Sequence, residues 1–223
     1  MLDARLSLAA SLYEPCDWGA DIGTDHAFLP CHLLRAGICQ HMIAADVSPK
    51  ALKHARENIT HAGLTGRTDI VHADGLDALT HRCGCVSIMG MGGETMAEIL
   101  QKGQARLQGA VLVLSAHTEQ ALVRETLRDI GYRITQERLC QAAGRYYVLW
   151  RAEPGTMHWT ADELRYGRYL WNEDAALLRG FCAFRTRVLM TQLQGLQRAA
   201  VPDEAAIQQV SAAVTFYQNK LEA

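Results

Sequence analysis

The sequence contains no apolar run approaching the ~20 residues that a membrane-spanning helix needs. Its first residues also lack a basic segment followed by an apolar stretch and a cleavage site. Neither a membrane span nor export is expected, and the cytoplasm is the expected compartment. Paired Cys-x-x-Cys spacing is missing too, since the seven cysteines are scattered at 16, 31, 39, 83, 85, 140 and 182. That scatter makes neither a disulfide framework nor a structural zinc site, so no metal is expected and a reducing compartment suits the chain. Charge of one sign is not in excess. With 22 Lys and Arg against 24 Asp and Glu in 223 residues the net charge is −2, so any hold on a polyanion must come from a local patch. What the chain does have is 49% hydrophobic residues, which is ample for a core and excludes disorder.

From about residue 15 to 151, short β-branched runs alternate with helical patterns, as βαβ units of a parallel sheet do. Strands are predicted over Trp18–Ile22, Met42–Asp46, Thr68–Val71, Val86–Met89 and Ala110–Leu114, with helices beginning near Ala27, Pro49, Gly93 and Glu119. Two more strands, Tyr132–Leu139 and Tyr146–Arg151, are separated only by Cys140–Arg145, too few residues for a crossover helix. They are predicted to pair as an antiparallel hairpin. A sheet that ends so is how a Rossmann-like methyltransferase closes, whereas a dinucleotide dehydrogenase continues with another crossover.

Ala152–His158, with Pro154 and Gly155, reads as a linker, which divides the chain into an α/β domain at 1–158 and a helical domain at 159–223. In the second part Leu177, Phe181, Phe184 and Val188, and then Ile207, Val210, Val214, Tyr217 and Leu221, recur at helical spacing. These are apolar seams, and with Pro202 between them they predict an antiparallel helical hairpin.

Ligands of an open α/β sheet bind beyond the C-terminal ends of its strands. The first strand leads into Asp21-Ile-Gly-Thr-Asp-His-Ala-Phe-Leu-Pro30. Gly23 lets the backbone approach a ligand, and Asp21 is placed to take an ammonium group. The Gly-x-Gly-x-x-Gly fingerprint is absent, and Asp25 puts negative charge where a pyrophosphate would lie, which argues against a nicotinamide oxidoreductase. Thr24 and Asp25 each have the alternative role of capping the following helix. The second strand ends at Asp46-Val47, where an acid is placed to accept both ribose hydroxyls of a nucleoside. The third ends at Asp74-Gly75, where an acid could accept from an adenine amine. After the fourth come Gly90, Met91, Gly92 and Gly93, a loop whose backbone can face a planar substrate.

In order and spacing these segments, with the closing Gly144-Arg-Tyr-Tyr147 hairpin and a helical C-terminal part, resemble the bacterial TrmK-type tRNA (adenine-N1)-methyltransferases over nearly the whole chain. The resemblance implies a Rossmann-like S-adenosylmethionine-dependent methyltransferase with a C-terminal helical hairpin, methylating N1 of adenine 22 of tRNA. Cofactor contacts are then expected from Asp21, Gly23, Thr24, Asp46, Val47, Asp74, Gly75, Gly90, Met91 and Gly92. Asp25 is the candidate to stabilise the base as it becomes cationic, with His26 orienting either Asp25 or the base. Two departures stand out: Cys85 where the family has Asp at the start of the fourth strand, and Ser115-Ala116-His117 where it has Gln-Pro-Asn. They leave open a noncatalytic protein that binds S-adenosylmethionine or RNA. For the tRNA, Arg165, Arg168, Arg179, Arg185 and Arg187 are the candidate phosphate contacts, because residues 165 to 198 hold six arginines and only two acids.

Overall fold

The computed structural model of the chain describes residues 2–199 and 201–222. Seven strands form one sheet: β1 (Cys16–Ile22), β2 (Cys39–Asp46), β3 (Thr68–His72), β4 (Cys85–Met91), β5 (Val111–Ala116), β6 (Tyr132–Ala142) and β7 (Arg145–Pro154), in the order β3-β2-β1-β4-β5-β7-β6. The first five are parallel, and β7 enters antiparallel between β5 and β6. All seven predicted strands are present. The hairpin connection is tighter than expected: Ala142 faces Arg145, and the turn residues Ala143 and Gly144 take φ of 48° and 74°. Two positive φ values match the right-handed twist of the flanking strands. The last strand runs to Pro154, so Ala152–Pro154 is sheet and not linker. The chain winds outward from β1 in one direction and from β4 in the other, so the crevice where strand order reverses opens between β1 and β4.

The crossover helices are α2 (Phe28–Arg35), α3 (Pro49–His61), α4 (Gly93–Gly103) and α5 (Gln120–Asp129). A helix the sequence pattern does not announce, α1 (Ala4–Ser11), precedes the first strand and is capped by the Asp3 carboxylate, which accepts from the Leu6 amide at 2.8 Å. A core cluster joins Ala9 and Ala10 of α1, Leu33 and Leu34 of α2, and Ala55 and Ile59 of α3 to Met42, Cys85, Val113 and Leu149 of the sheet. It contains no side chain of α4 or α5, which places the two helix groups in separate layers. Central strands covered on both faces need the continuous apolar runs seen in Met42–Ala45 and Val111–Leu114.

Two compact units result, residues 1–170 and 171–223. The first therefore runs past 158 and takes in α6 (Ala161–Tyr166). A buried acid is the physical reason. Glu137 of β6 accepts from Arg124 Nε at 2.9 Å, from Trp150 Nε1 at 3.0 Å, and from the amides of Arg168 and Tyr169 at 2.6 and 2.8 Å. Arg124 in turn donates to the carbonyls of Leu164 and Arg165. The pair is fully buried, so its satisfaction ties residues 164–169 to the α/β unit.

The second unit is a pair of helices, α7 (Ala175–Gln197) and α8 (Glu204–Glu222), packed against each other. Val210, Val214 and Tyr217 are buried as the spacing of α8 predicts, but in α7 the buried residues are Phe181, Cys182, Thr186 and Leu189, and Val188 is exposed.

Candidate functional site

A cleft of about 250 Å³ opens over the C-terminal ends of the first four strands. It is lined by Gly23 after β1, Asp46 and Val47 after β2, Asp74 and Gly75 after β3, and Gly90 and Met91 of β4, with Thr95 and Ile99 of α4. The structure thus gathers seven of the ten expected cofactor residues around one space. Asp21, Thr24 and Gly92 stand outside its lining.

Asp21, two residues before Gly23, is buried near the end of β1. Ser87 Oγ donates to its Oδ1 at 2.6 Å, and the Tyr13 hydroxyl lies 2.7 Å from Ser87 Oγ and 3.0 Å from the Ala20 carbonyl. Burial raises the Asp21 carboxyl above the usual carboxylate range, opposed by the Ser87 hydrogen bond, the neighbouring Thr24 hydroxyl and the positive charge of Arg5. Thr24 is buried, and its Oγ1 has no hydrogen-bond partner of normal geometry. The amides of Gly23 and Thr24 both donate to the Ala45 carbonyl, at 2.8 and 2.9 Å, which folds the turn back onto β2. At φ +79° with Met91 Cε 3.0 Å from where a Cβ would sit, Gly23 is held by conformation and by space together.

Asp46 accepts from the Ser48 amide at 2.7 Å through Oδ1, and Ser48 and Pro49 start α3 as cap and first residue. Its second oxygen is unclaimed, and Asp74 carries no side-chain hydrogen bond among the described residues. Both acids therefore face the cleft with acceptor capacity to spare, which is what ribose hydroxyls and an adenine amine require. The cleft and its acceptors fit S-adenosylmethionine on those grounds. The glycine loop divides its work. Gly90 lines the cleft, but a Cβ on Gly93 would strike the Thr118 carbonyl at 2.5 Å, so that glycine serves the packing of α4 on the loop after β5.

Neither Thr24 nor Asp25 caps α2. Ala27 occupies the cap in a left-handed conformation, φ 52°, with no side-chain hydrogen bond. Asp25 is instead exposed, with His26 Nε2 at 3.3 Å and His54 Nδ1 at 3.8 Å. His26 is sandwiched between the Phe28 ring at 5.2 Å and the His54 ring at 4.8 Å. Asp25, His26 and His54 are the one grouping of three metal-ligating side chains found among the described residues. The two imidazole planes are stacked within 3° of parallel, however, so their in-plane lone pairs do not converge on a common ion. His54 was not legible as a site residue, because nothing in a helix pattern marks which polar residue reaches back to the preceding turn.

The two departures prove unequal. Cys85 is buried at the β4 edge of the core, its thiol held protonated by burial, and it packs without facing the cleft. Ser115 is buried and donates to the Val148 carbonyl at 2.9 Å, which leaves His117 as the exposed member of its triplet. His117 lies near the Tyr147 ring, with centroids 6.1 Å apart, and its amide donates to the Met91 carbonyl. Burial and the charges of Arg5 and Arg145 lower its pKa, favouring the neutral imidazole.

The five candidate RNA contacts divide between the units. Arg165 and Arg168 belong to the first, where Arg168 Nε is 3.5 Å from Glu163 and its guanidinium lies over Tyr169. Arg179, Arg185 and Arg187 are on α7. Arg179 and Arg187, eight residues apart, share an exposed face, whereas Arg185 turns onto the Tyr217 ring.

An antiparallel β7 between β5 and β6, strand-end acids in place of a phosphate-binding glycine turn, and a cleft over the switch point together define a Rossmann-like S-adenosylmethionine-dependent methyltransferase. Comparison with known proteins narrows the class. The family model for TrmK, tRNA (adenine(22)-N(1))-methyltransferase, matches residues 19–216, and the chain belongs to that family. A Bacillus subtilis tRNA (adenine(22)-N(1))-methyltransferase is 30% identical over 156 residues, covering 69% of this chain and 66% of the relative, just under two thirds of its length. The Streptococcus pneumoniae protein Sp1610, solved in complex with S-adenosyl-L-methionine, superposes with a TM-score of 0.85 at 26% identity, covering 99% of this chain and 100% of its own. A Streptococcus agalactiae protein of the NADB-Rossmann superfamily gives 0.87 at 26% identity, over 99% and 97%.

Proposed function

We propose that this chain, in the cytoplasm, transfers a methyl group to N1 of adenine 22 of tRNA. The cofactor's methionine end lies toward Asp21 and Gly23, its ribose on Asp46 and its adenine beside Asp74. The observation that supports this most is the single cleft that gathers the ends of four strands around two under-satisfied acids and the Gly90–Met91 turn. When bound, the cofactor supplies an electrophilic methyl carbon on a cationic sulfur. N1 of neutral adenine already carries a lone pair, so no proton need be removed before attack. The residues' task is alignment, with Asp46 and Asp74 fixing the nucleoside and the Gly90 turn leaving room for the incoming base. The base gains positive charge as the bond forms, and the Asp25 carboxylate, braced by His26 and His54, is the group we assign to stabilise it. Adenine N1 is inaccessible in a stacked pair, so the base must be extruded. Arg179 and Arg187 hold phosphates of the tRNA backbone.

The test is nucleoside mass spectrometry of an unmodified tRNA transcript incubated with full-length protein and S-adenosylmethionine. 1-Methyladenosine should form with adenine at position 22 and disappear when that position is guanine. A chain that binds the cofactor yet methylates neither transcript would be the noncatalytic binder.

A further inference from the structure

The cleft has a mismatch of charge with the ligand assigned to it. Its lining holds two aspartates and no cationic side chain, and a third acid, Asp21, is buried two residues before the lining Gly23. The methionine end of S-adenosylmethionine carries a carboxylate as well as an ammonium, and burying that carboxylate among acids without a cation is costly. One guanidinium stands at the right edge. Arg5 Nη1 lies 3.9 Å from where a Gly90 Cβ would point, and Gly90 lines the cleft. The charge of Arg5 is felt by Asp21, whose carboxyl it lowers, and by His117. Its guanidinium carbon lies 5.4 Å over the Tyr147 ring, and among the described residues the group makes no hydrogen bond or ion pair. A guanidinium offers five donors in a fork that matches a carboxylate, so a half-buried one with no protein acceptor among the described residues has donors to give an anion.

We infer that Arg5, carried on α1 and standing over Tyr147 beside Gly90, pairs with the carboxylate of the cofactor's methionine end, across from the ammonium that Asp21 takes. The helix is placed for this. Tyr13, just past its end, reaches the Ala20 carbonyl and Ser87, the same hydroxyl that supports Asp21. One hydrogen-bonded group thus sets the depth of Asp21 and anchors the segment that carries Arg5. The two charges of the ligand's amino-acid end are met by residues from different elements, one on the sheet and one on a helix outside the βαβ pattern.

This inference rests on the S-adenosylmethionine reading, and its test separates the two. Full-length wild type, Arg5→Ala and Arg5→Lys are titrated calorimetrically with S-adenosylmethionine and with its decarboxylated analogue, which keeps the ammonium and lacks the carboxylate. Arg5→Ala should lose about 10- to 100-fold in affinity for S-adenosylmethionine, the range for a hydrogen-bonded charge pair. It should bind the decarboxylated analogue as wild type does, which also shows that the protein is folded. Arg5→Lys, keeping the charge without the fork, should recover part of the loss. An equal loss for both ligands would make Arg5 a structural residue, and no loss for either would remove it from the site. Wild type that binds neither ligand would overturn the cofactor reading itself.

Discussion

Two sets of carboxylates in the α/β unit have opposite fates. Glu137 is fully buried and accepts from two side chains and from the amides of Arg168 and Tyr169. Asp46 accepts from one amide, and Asp74 has no side-chain hydrogen bond among the described residues. A carboxylate whose acceptor sites are filled by the chain has nothing left for a ligand, and its value is structural. One left short beside a cleft holds capacity that a ligand can use in place of solvent. The count of donors, more than the burial of the acid, separates the two roles.

The comparison predicts which acid the fold cannot lose. Glu137→Ala leaves Arg124 buried without its partner and should cost about 3–5 kcal/mol in chemical denaturation, with the folded fraction binding cofactor at wild-type affinity. A cofactor defect without a stability loss would reverse its assignment.

Truncation sharpens the same contrast. A chain ending at residue 170 keeps every donor to Glu137 and should bind S-adenosylmethionine unchanged, while tRNA affinity in a filter-binding assay falls about 10-fold or more with the loss of Arg179 and Arg187. A chain ending at 158 removes the Arg168 and Tyr169 amides and should melt at lower temperature. Wild-type tRNA affinity in the 170-residue chain would give the helical unit another role.

Asp25 belongs to neither set, being exposed and braced by two histidines. Asp25→Ala should lower single-turnover methyl transfer by about 10-fold with cofactor affinity intact. A parallel fall in affinity would make it a cofactor contact.

The smallest effect concerns Asp21. Burial raises its carboxyl above the usual range, so the folded state holds that proton more readily than the unfolded one. Its favourable contribution is present in acid and is lost as the pH rises through the folded-state value. Asp21→Asn should therefore raise the melting temperature near neutral pH, with the gain shrinking toward pH ~4. A gain equal at both pH values would tie it to packing.

The strand-end acids were legible because a parallel sheet converts sequence spacing into position: each strand delivers its last residues to one edge. Residues brought in by packing alone were not. Arg5 sits on an eight-residue helix before the first strand, and nothing in its local sequence points to Gly90. The domain boundary expected at 158 fell short for a related reason. Glu137 in β6 gives no sign that its acceptor sites will be filled by amides about 30 residues further on. Gly93 was read with the ligand loop because glycine runs look alike, whereas only the approach of Thr118 shows what it is for.

The measurement closest to the central claim is a calorimetric titration of S-adenosylmethionine into wild type and Asp46→Ala, with a thermal melt of each. Asp46→Ala should bind about 10- to 100-fold more weakly while melting close to wild type, since it gives up an unclaimed charged acceptor and only one hydrogen bond of the fold. Unchanged affinity in a folded Asp46→Ala protein would contradict the placement of the cofactor over these strand ends.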